Sequence, residues 1–493
     1  NPRTSAEKLK ENFQKDYFAD ISIDGPGFIN FTLSKDFVCR SLIEILKEGE
    51  KYFDSNLGEG KKIQVEFVSS NPTGPLTVGH GRQAVLGDVL ASSFQSLGYD
   101  VSREYYFNDE GGQVRKLAKT IWVRYMQALG YKEEIPEGGY KGEYLKILGE
   151  DIARNRGEDF LDYSPEAEDF FRKRGLQEMI GYIKKDLRDL GVSFDNWFRE
   201  SSLHREGEVE ATLERLKSTG ATYEEGGAIW LKASDYGAPK DAVLVKSNGD
   251  PTYLLPDVAY HLNKEKRGFD QAIVVLGADH HGHAKNMNAA LRALNFEPEF
   301  YHALLHQFVS LKKEGKLEKM STREGEFVTL RKLIDDLGRD VVRYFMMARK
   351  PESHLEFDYE LAKEDSMDNP VYYIQYAHTR IASIFRKSDI SPADLKFSLK
   401  DLKPLGNDME KKLILKIDRL PSVIKSAAEE FNPHILGKYA EELATDFHKY
   451  YNSYRINTSD KDLSKARLIL CKAVQSALRK LLDTIGVSAP DRM

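Results

Sequence analysis

Cysteine is almost missing from this sequence. Its two occurrences, Cys39 and Cys471, cannot build a disulfide framework or a cysteine zinc site, and they fit a reducing cytosol. Long apolar runs are missing too, so no stretch is expected to span a bilayer and no membrane role is expected. No secretory leader is seen, although a chain that opens on Asn1 reads as one lacking its natural start. These points together give a cytoplasmic expectation. Internal repeats and low-complexity tracts are absent, which excludes solenoid and fibrous classes. A basic excess is absent as well: the net charge of −6 excludes a chain that binds nucleic acid by bulk charge. Residues 405–493 alone reverse that sign, with 15 Lys/Arg against 12 Asp/Glu, which is compatible with a polyanionic partner.

What is present is a globular composition, 41% hydrophobic and 30% charged over 493 residues, enough for two or three domains. Residues 1–50 read as a helical start, an extended SISIDGPGFINFTL with a Gly-Pro-Gly turn, and a helix from about Lys35. Residues 63–68 form a β-branched strand, followed by SSNPTGPLTVGHGRQA and a helix over 80–97 that ends at Gly98. A second strand runs from Val101 to Phe107. Strand, helix and strand in this order predict a right-handed crossover and a parallel sheet. Residues 111–220 are mainly helical by pattern and 221–257 rich in strands, an excursion that reads as an insertion. A strand at Ala272–Leu276 then enters GADHHGH, a strand at 301–309 enters the charged loop KKEGKLEKMSTREGE, and helices run from Leu361 to Leu482.

Two stretches carry chemistry. In TVGH a glycine lets another group approach a helix start whose free N–H groups face an anion, and His80 can donate to a phosphoryl oxygen. The bland alternative is an ordinary strand-to-helix loop with a surface histidine. EKMSTREG is a cationic loop able to close on the β- and γ-phosphates of a triphosphate. Its bland alternative is a solvated charged run. Either alone is weak; the pair, one after the first sheet strand and one after the last, is far stronger.

TVGH resembles the HIGH signature, and KMSTR the KMSKS signature, of class I aminoacyl-tRNA synthetases. VEFVSSNPTGPL, REYYFNDEGGQV, TYLLPDVAYHL, GADHHGH, EKMSTREGEFVTL, DVVRYFMMARKPESHLEFD and NPVYYIQYAHTRIASIFRK all resemble the arginyl-tRNA synthetase family. The resemblance implies an α/β fold in three parts. Residues 57–360 form a doubly wound parallel-sheet catalytic domain, Rossmann-like and of the HIGH type, with insertions over about 111–250. Residues 361–493 form an all-α, DALR-type anticodon-binding bundle, with DVVR at 340–343 resembling the DALR signature. Residues 1–56 are the remainder of a truncated N-terminal α/β add-on. The implied partners are L-arginine and arginine tRNA, the implied cofactors are ATP and Mg²⁺, and the chain is expected to act as a monomer.

The resemblance also places the site. His80, Thr77, Lys319 and Arg323 are the catalytic candidates. Pro75, Gly79, His80, Gly277, Asp279, His280, Lys316, Lys319, Met320 and Ser321 are the ATP candidates, and Glu66, Ser69, Asn71, Tyr253 and Asp257 the arginine candidates. A planar guanidinium calls for a carboxylate of bidentate geometry, and Tyr253 and Asp257, four apart at a helix entry, can share one face. Their bland readings are a core aromatic and a helix cap. The histidines of GADHHGH invite a metal, but no cysteine ligands support one, and the place after a parallel strand suits a ribose instead; no resident metal is expected. His280 either lines that site or is structural.

Two positions depart from the family pattern. Thr77 replaces the first His of HIGH, and Thr322 the second Lys of KMSKS, which leaves Lys319, Arg323 and Lys316 as cations for the triphosphate. A different class I synthetase or a small adenylate-forming ligase is one rival reading, and a non-catalytic RNA-binding relative is another.

Overall fold

The structure, a computed structural model, describes residues 1–13, 15–318 and 328–493. They form two compact units, one of residues 1–57, 96–98 and 364–493, the other of residues 58–95 and 99–363. In the first unit, strands β1 (Phe18–Asp24) and β2 (Phe28–Leu33) make an antiparallel hairpin between the helices Pro2–Asn12 and Lys35–Glu48. The same unit holds the helices Pro370–Arg386, Asp408–Asp418, Leu420–Glu429, His434–Ser453 and Lys461–Ile485. Lys461–Ile485 buries Ala466, Leu470, Ala473, Val474, Ala477 and Leu481, the three-to-four spacing of a bundle helix. The N-terminal piece is bonded into this bundle. The Lys35 ammonium donates to the Lys403 carbonyl at 2.6 Å, and the Tyr52 hydroxyl to Asp418 at 2.6 Å.

The second unit is built on a parallel sheet of β3 (Lys62–Glu66), β4 (Asp100–Phe107), β5 (Asn196–Arg199), β9 (Gln271–Gly277) and β10 (Tyr301–His306), in the order β10-β9-β3-β4-β5. The chain starts at the centre with β3, winds outward to β4 and β5, then returns to lay β9 on the other side of β3. The strand order therefore reverses between β3 and β9, and a crevice opens at their carboxyl ends. The excursion between β5 and β9 includes a small antiparallel sheet of β6 (Thr222–Glu225), β7 (Ala228–Leu231) and β8 (Ala242–Val245). Helices Gly111–Ala128, Glu143–Arg156 and Pro165–Asp189 pack separately around Ile121, Tyr125, Leu145 and Phe171.

Three segments differ from the sequence expectation. The region read as helical contains β5, whose four residues are too short to show a period, and only pairing with Glu104–Phe107 makes them a strand. TYLLPD, read with the strands, starts the helix Leu254–Lys266, and Pro256 is tolerated there because a first-turn N–H has no partner to lose. The front of the charged loop is a hairpin of β11 (Val309–Lys313) and β12 (Lys316–Glu318). It turns at Glu314 and Gly315, whose φ of 50° and 75° suit a type I′ turn. A further strand, β13 (Leu355–Asp358), pairs with β11 in parallel.

DVVR resembles the signature of the C-terminal domain, yet its numbers fall within 57–360, the range expected to be catalytic. It lies in the helix Arg339–Met347 of the sheet-bearing unit, not in the helical bundle. Arg343 is wholly buried there and donates to Asp88 at 2.6 Å, tying that helix to the one that follows TVGH.

Gln64 and Glu66 point to one face of β3, and both are buried. Helix Leu254–Lys266 covers that face and pairs most of its polar atoms, though the Gln64 Oε1 has no hydrogen-bond partner. Gln64 donates to Glu104 at 2.7 Å, Arg267 grips Glu104 in a fork of 3.0 and 2.7 Å, and Lys264 donates to Glu66 at 2.7 Å. Burial raises the Glu104 carboxyl, but the Arg267 fork and the Tyr260 hydroxyl more than offset it, so its pKa is lowered. Positions 257, 260, 264 and 267 recur at helical spacing, so anchoring Tyr260, Lys264 and Arg267 also fixes where Asp257 stands.

Candidate active site in the crevice

The turn after β3 is strained. Val68 and Ser69 have φ of 69° and 38°, a left-handed conformation that costs side chains of this kind roughly 1–3 kcal/mol each. The strain aims the Ser69 hydroxyl two ways: it donates to Glu66 at 2.9 Å and accepts from the Tyr106 N–H at 3.2 Å. Beyond it, Asn71 is exposed and donates to Gln113 at 2.9 Å. The Tyr144 hydroxyl, from the helical insertion, donates to the Thr73 carbonyl at 3.0 Å and braces the turn. Pro75 follows, half-buried.

Helix Val78–Ser96 starts at once, and the Thr77 carbonyl accepts from the Gly81 N–H at 3.1 Å. Thr77 is therefore the cap and His80 the third helical residue. The His80 Nδ1 accepts from the Thr77 N–H at 3.1 Å, with the Thr77 hydroxyl 3.2 Å from the same nitrogen. This is one half of a capping box, the bond from the third side chain back to the cap N–H, with His in place of Glu or Gln. Burial, helped by His306, drops the His80 pKa to about 4, so the ring is neutral at pH 7. Gly79 and His80 are half-buried at this helix mouth.

The chain beyond the second signature is tied to the first by backbone. Thr77 forms an isolated bridge with Thr329, and the Leu330 N–H donates to the Leu76 carbonyl at 2.8 Å. Gly81 permits the approach, since a Cβ there would meet Leu330 at 2.8 Å. Lys316 is exposed in β12. Lys319, Met320, Ser321, Thr322 and Arg323 lie outside the described residues. On the other wall Gly277 ends β9, and a Cβ on it would strike the Asp279 carboxylate at 2.5 Å. Asp279 and His280 are both exposed at this edge, 3.8 Å apart.

The arginine candidates divide. Asp257 and Glu66 share one neighbourhood, since Asp257 acts on the charge of Glu66. Tyr253 is 69% exposed at the head of the Asp257 helix. Asp257 accepts from His283 at 2.6 Å, a partner the sequence had grouped with the nucleotide edge. Desolvation lowers the His283 pKa, but the Asp257 carboxylate overrides it, so the net shift is upward. Burial raises the Glu66 pKa against the pull of Lys264. Glu200, which the sequence reading missed, completes the set. It accepts from the Tyr106 hydroxyl at 2.6 Å and from Asn108 at 2.8 Å. Burial raises its pKa, and Asp257 raises it further. No spacing could have found Glu200, because it follows β5, itself invisible to pattern. Three carboxylates thus face one lysine, Lys264, and two histidines, His283 and His204, the last 3.8 Å from Glu200, so acidic groups outnumber the one permanently cationic side chain. The imbalance favours a cationic ligand.

Arg82 of GHGR was also missed. Wholly buried, it donates to the carbonyls of Gln307 at 2.7 Å, Ser353 at 3.0 Å and Lys350 at 2.9 Å. It clamps the helix after TVGH to the segments entering β11 and β13. Among the described residues no group of His, Cys, Asp and Glu could hold a metal ion, and no helix is long and apolar enough to cross a membrane.

Comparison with known proteins agrees with this architecture. Residues 41–382 match the family described as tRNA synthetases class I (R), catalytic domain. Residues 374–493 match the DALR anticodon binding domain, and residues 1–33 the arginyl tRNA synthetase N terminal domain. An arginine–tRNA ligase of Thermotoga maritima is 45% identical, covering 100% of this chain and 91% of its own. One from Carboxydothermus hydrogenoformans is 46% identical, covering 100% and 89%. The Thermus thermophilus arginyl-tRNA synthetase structure superposes with a TM-score of 0.77 at 22% identity, over 100% of this chain and 92% of that one. A Campylobacter jejuni structure described as an arginyl-tRNA synthetase gives 0.86 at 33% identity, over 94% and 100%.

Proposed function

Since the chain belongs to the arginyl-tRNA synthetases, we infer that both of its chemical steps run in the crevice at the carboxyl ends of β3 and β9. The enzyme ligates L-arginine to its cognate tRNA at the expense of ATP, through an arginyl-adenylate, releasing pyrophosphate and then AMP. In the first step an arginine carboxylate oxygen attacks the α-phosphorus in line and pyrophosphate departs. In the second a ribose hydroxyl of the tRNA's terminal adenosine attacks the activated carbonyl and AMP departs. Neither step needs an enzyme nucleophile, so rate comes from alignment and from neutralising developing charge.

The observation that carries the residue assignment is the carboxylate excess around Asp257. Asp257 and Glu200 read the guanidinium, with Tyr253 at the entrance. Glu66, already neutralised by Lys264, forms the floor with Ser69, and Asn71 meets the polar end of the amino acid. His80 donates from Nε2 to a phosphoryl oxygen whose charge grows in the transition state. Pro75, Gly79, Gly277, Asp279 and His280 border the nucleotide. Lys316, Lys319, Met320, Ser321 and Arg323 meet the triphosphate. Mg²⁺ arrives as part of the ATP substrate, on the phosphates, since such ions bind through one or two carboxylates plus substrate oxygens.

Residues 57–360 are assigned to catalysis, 361–493 to binding the anticodon and 1–56 to a further tRNA contact. One chain carries both signatures and the tRNA module, so a monomer suffices. Two free, buried cysteines fit a reducing cytoplasm. Activation is assigned a requirement for bound tRNA. ATP–pyrophosphate exchange with arginine, run with and without arginine tRNA, tests it. The expected result is exchange only when tRNA is present; equal exchange in its absence removes the requirement and leaves the reaction intact.

A further inference from the structure

We propose that Thr77 is a positioning residue that fixes the tautomer and aim of the His80 ring, rather than a ligand of ATP. The proposal rests on His80 as the phosphoryl donor. Three bonds support it. The Thr77 N–H and hydroxyl both converge on His80 Nδ1, at 3.1 and 3.2 Å, while the Thr77 carbonyl accepts from the Gly81 N–H at 3.1 Å.

A backbone N–H can only donate, so Nδ1 must be the unprotonated nitrogen and the single ring proton must sit on Nε2. The hydroxyl donates to the same nitrogen and is thereby turned from substrate toward the ring. A neutral imidazole without this hold would divide between two tautomers, and only one of them offers an Nε2 donor. The position is also stiffened from outside, because Thr77 bridges to Thr329 and Leu76 accepts from Leu330. The departure from HIGH at this position thus has a use: the smaller side chain closes a cap on the remaining histidine.

The test compares wild type with Thr77→Val, which keeps the N–H and shape but loses the hydroxyl, and with Thr77→Ser, which restores it. Nitrogen-15 NMR of the full chain labelled at histidine reads the tautomer, with the His80 resonances identified by their loss in His80→Gln. Wild type and T77S are expected to show an unprotonated Nδ1 and a protonated Nε2. T77V keeps the backbone N–H on Nδ1 and loses only the hydroxyl, so its shifts should move part of the way toward averaged values, with a kcat lower by about 3- to 10-fold, the worth of one neutral hydrogen bond, and the ATP KM unchanged. A protonated Nδ1 in wild type overturns the proposal. So does a T77V that raises the ATP KM at constant kcat, which would make Thr77 an ATP ligand. Unchanged shifts and kcat in T77V overturn it too. Shifts moved in this way with an unchanged kcat would uphold the hold on the ring and remove His80 from the transition state.

Discussion

Replacing Asp257 by Ala is expected to raise the arginine KM by about 10²-fold or more, the usual cost of removing one partner from a desolvated, hydrogen-bonded charge pair. The ATP KM should move little. The loss should be large because the site has little slack: Glu66 is engaged by Lys264 at 2.7 Å and Glu200 by Tyr106 and Asn108 at 2.6 and 2.8 Å. Asp257 to Asn is the sharper variant. It keeps the shape and the His283 contact while removing the charge, so a similar rise in KM assigns the effect to charge and not to a collapsed helix start. Steady-state aminoacylation across arginine concentrations measures both. A wild-type arginine KM in either variant would remove Asp257 from the guanidinium site.

His80→Ala is expected to lower kcat by about 10²-fold or more, as loss of a single oxyanion donor does, while tRNA affinity stays near wild type. The neutral ring matters here. With its pKa held down to about 4 by burial and by His306, His80 keeps one form from pH 5.5 upward. Its contribution should therefore not titrate across the working range. Single-turnover formation of the adenylate separates this effect from product release. Unaltered turnover in the variant would take His80 out of the mechanism.

Local features of the site were legible in the sequence, and long-range ones were not. TVGH could be placed because a β-branched strand, a Gly/Pro turn and a helix follow each other without interruption, and order along the chain fixes their order in space. Tyr253 and Asp257 could be put on one face of a helix entry by their spacing, even though TYLLPD also read as part of the strand-rich stretch. The partners of these groups could not. Glu66 meets Lys264 from 198 residues away, and Asp257 meets His283 from 26. Periodicity carries no record of such pairings. Glu200 was hidden for a different reason, since four residues of strand leave no period to read. DVVR resembles the signature of the bundle but lies in the sheet-bearing unit, where Arg343 donates to Asp88 inside the core, a pairing that motif likeness does not record. The polar residues of β3 show the same limit, for a doubly wound sheet leads one to expect Gln64 and Glu66 to be covered but does not say which side chains meet them.

The central claim is that the crevice selects its amino acid by the charge of a guanidinium. Citrulline tests it most directly, because it matches arginine in shape but carries a neutral ureido group. In ATP–pyrophosphate exchange with tRNA present, arginine is expected to drive exchange and citrulline to fall below it by about 10²-fold or more in kcat/KM, as a carboxylate left facing a neutral group predicts. Citrulline activated as well as arginine would contradict the carboxylate reading and return Asp257 and Glu200 to purely structural roles.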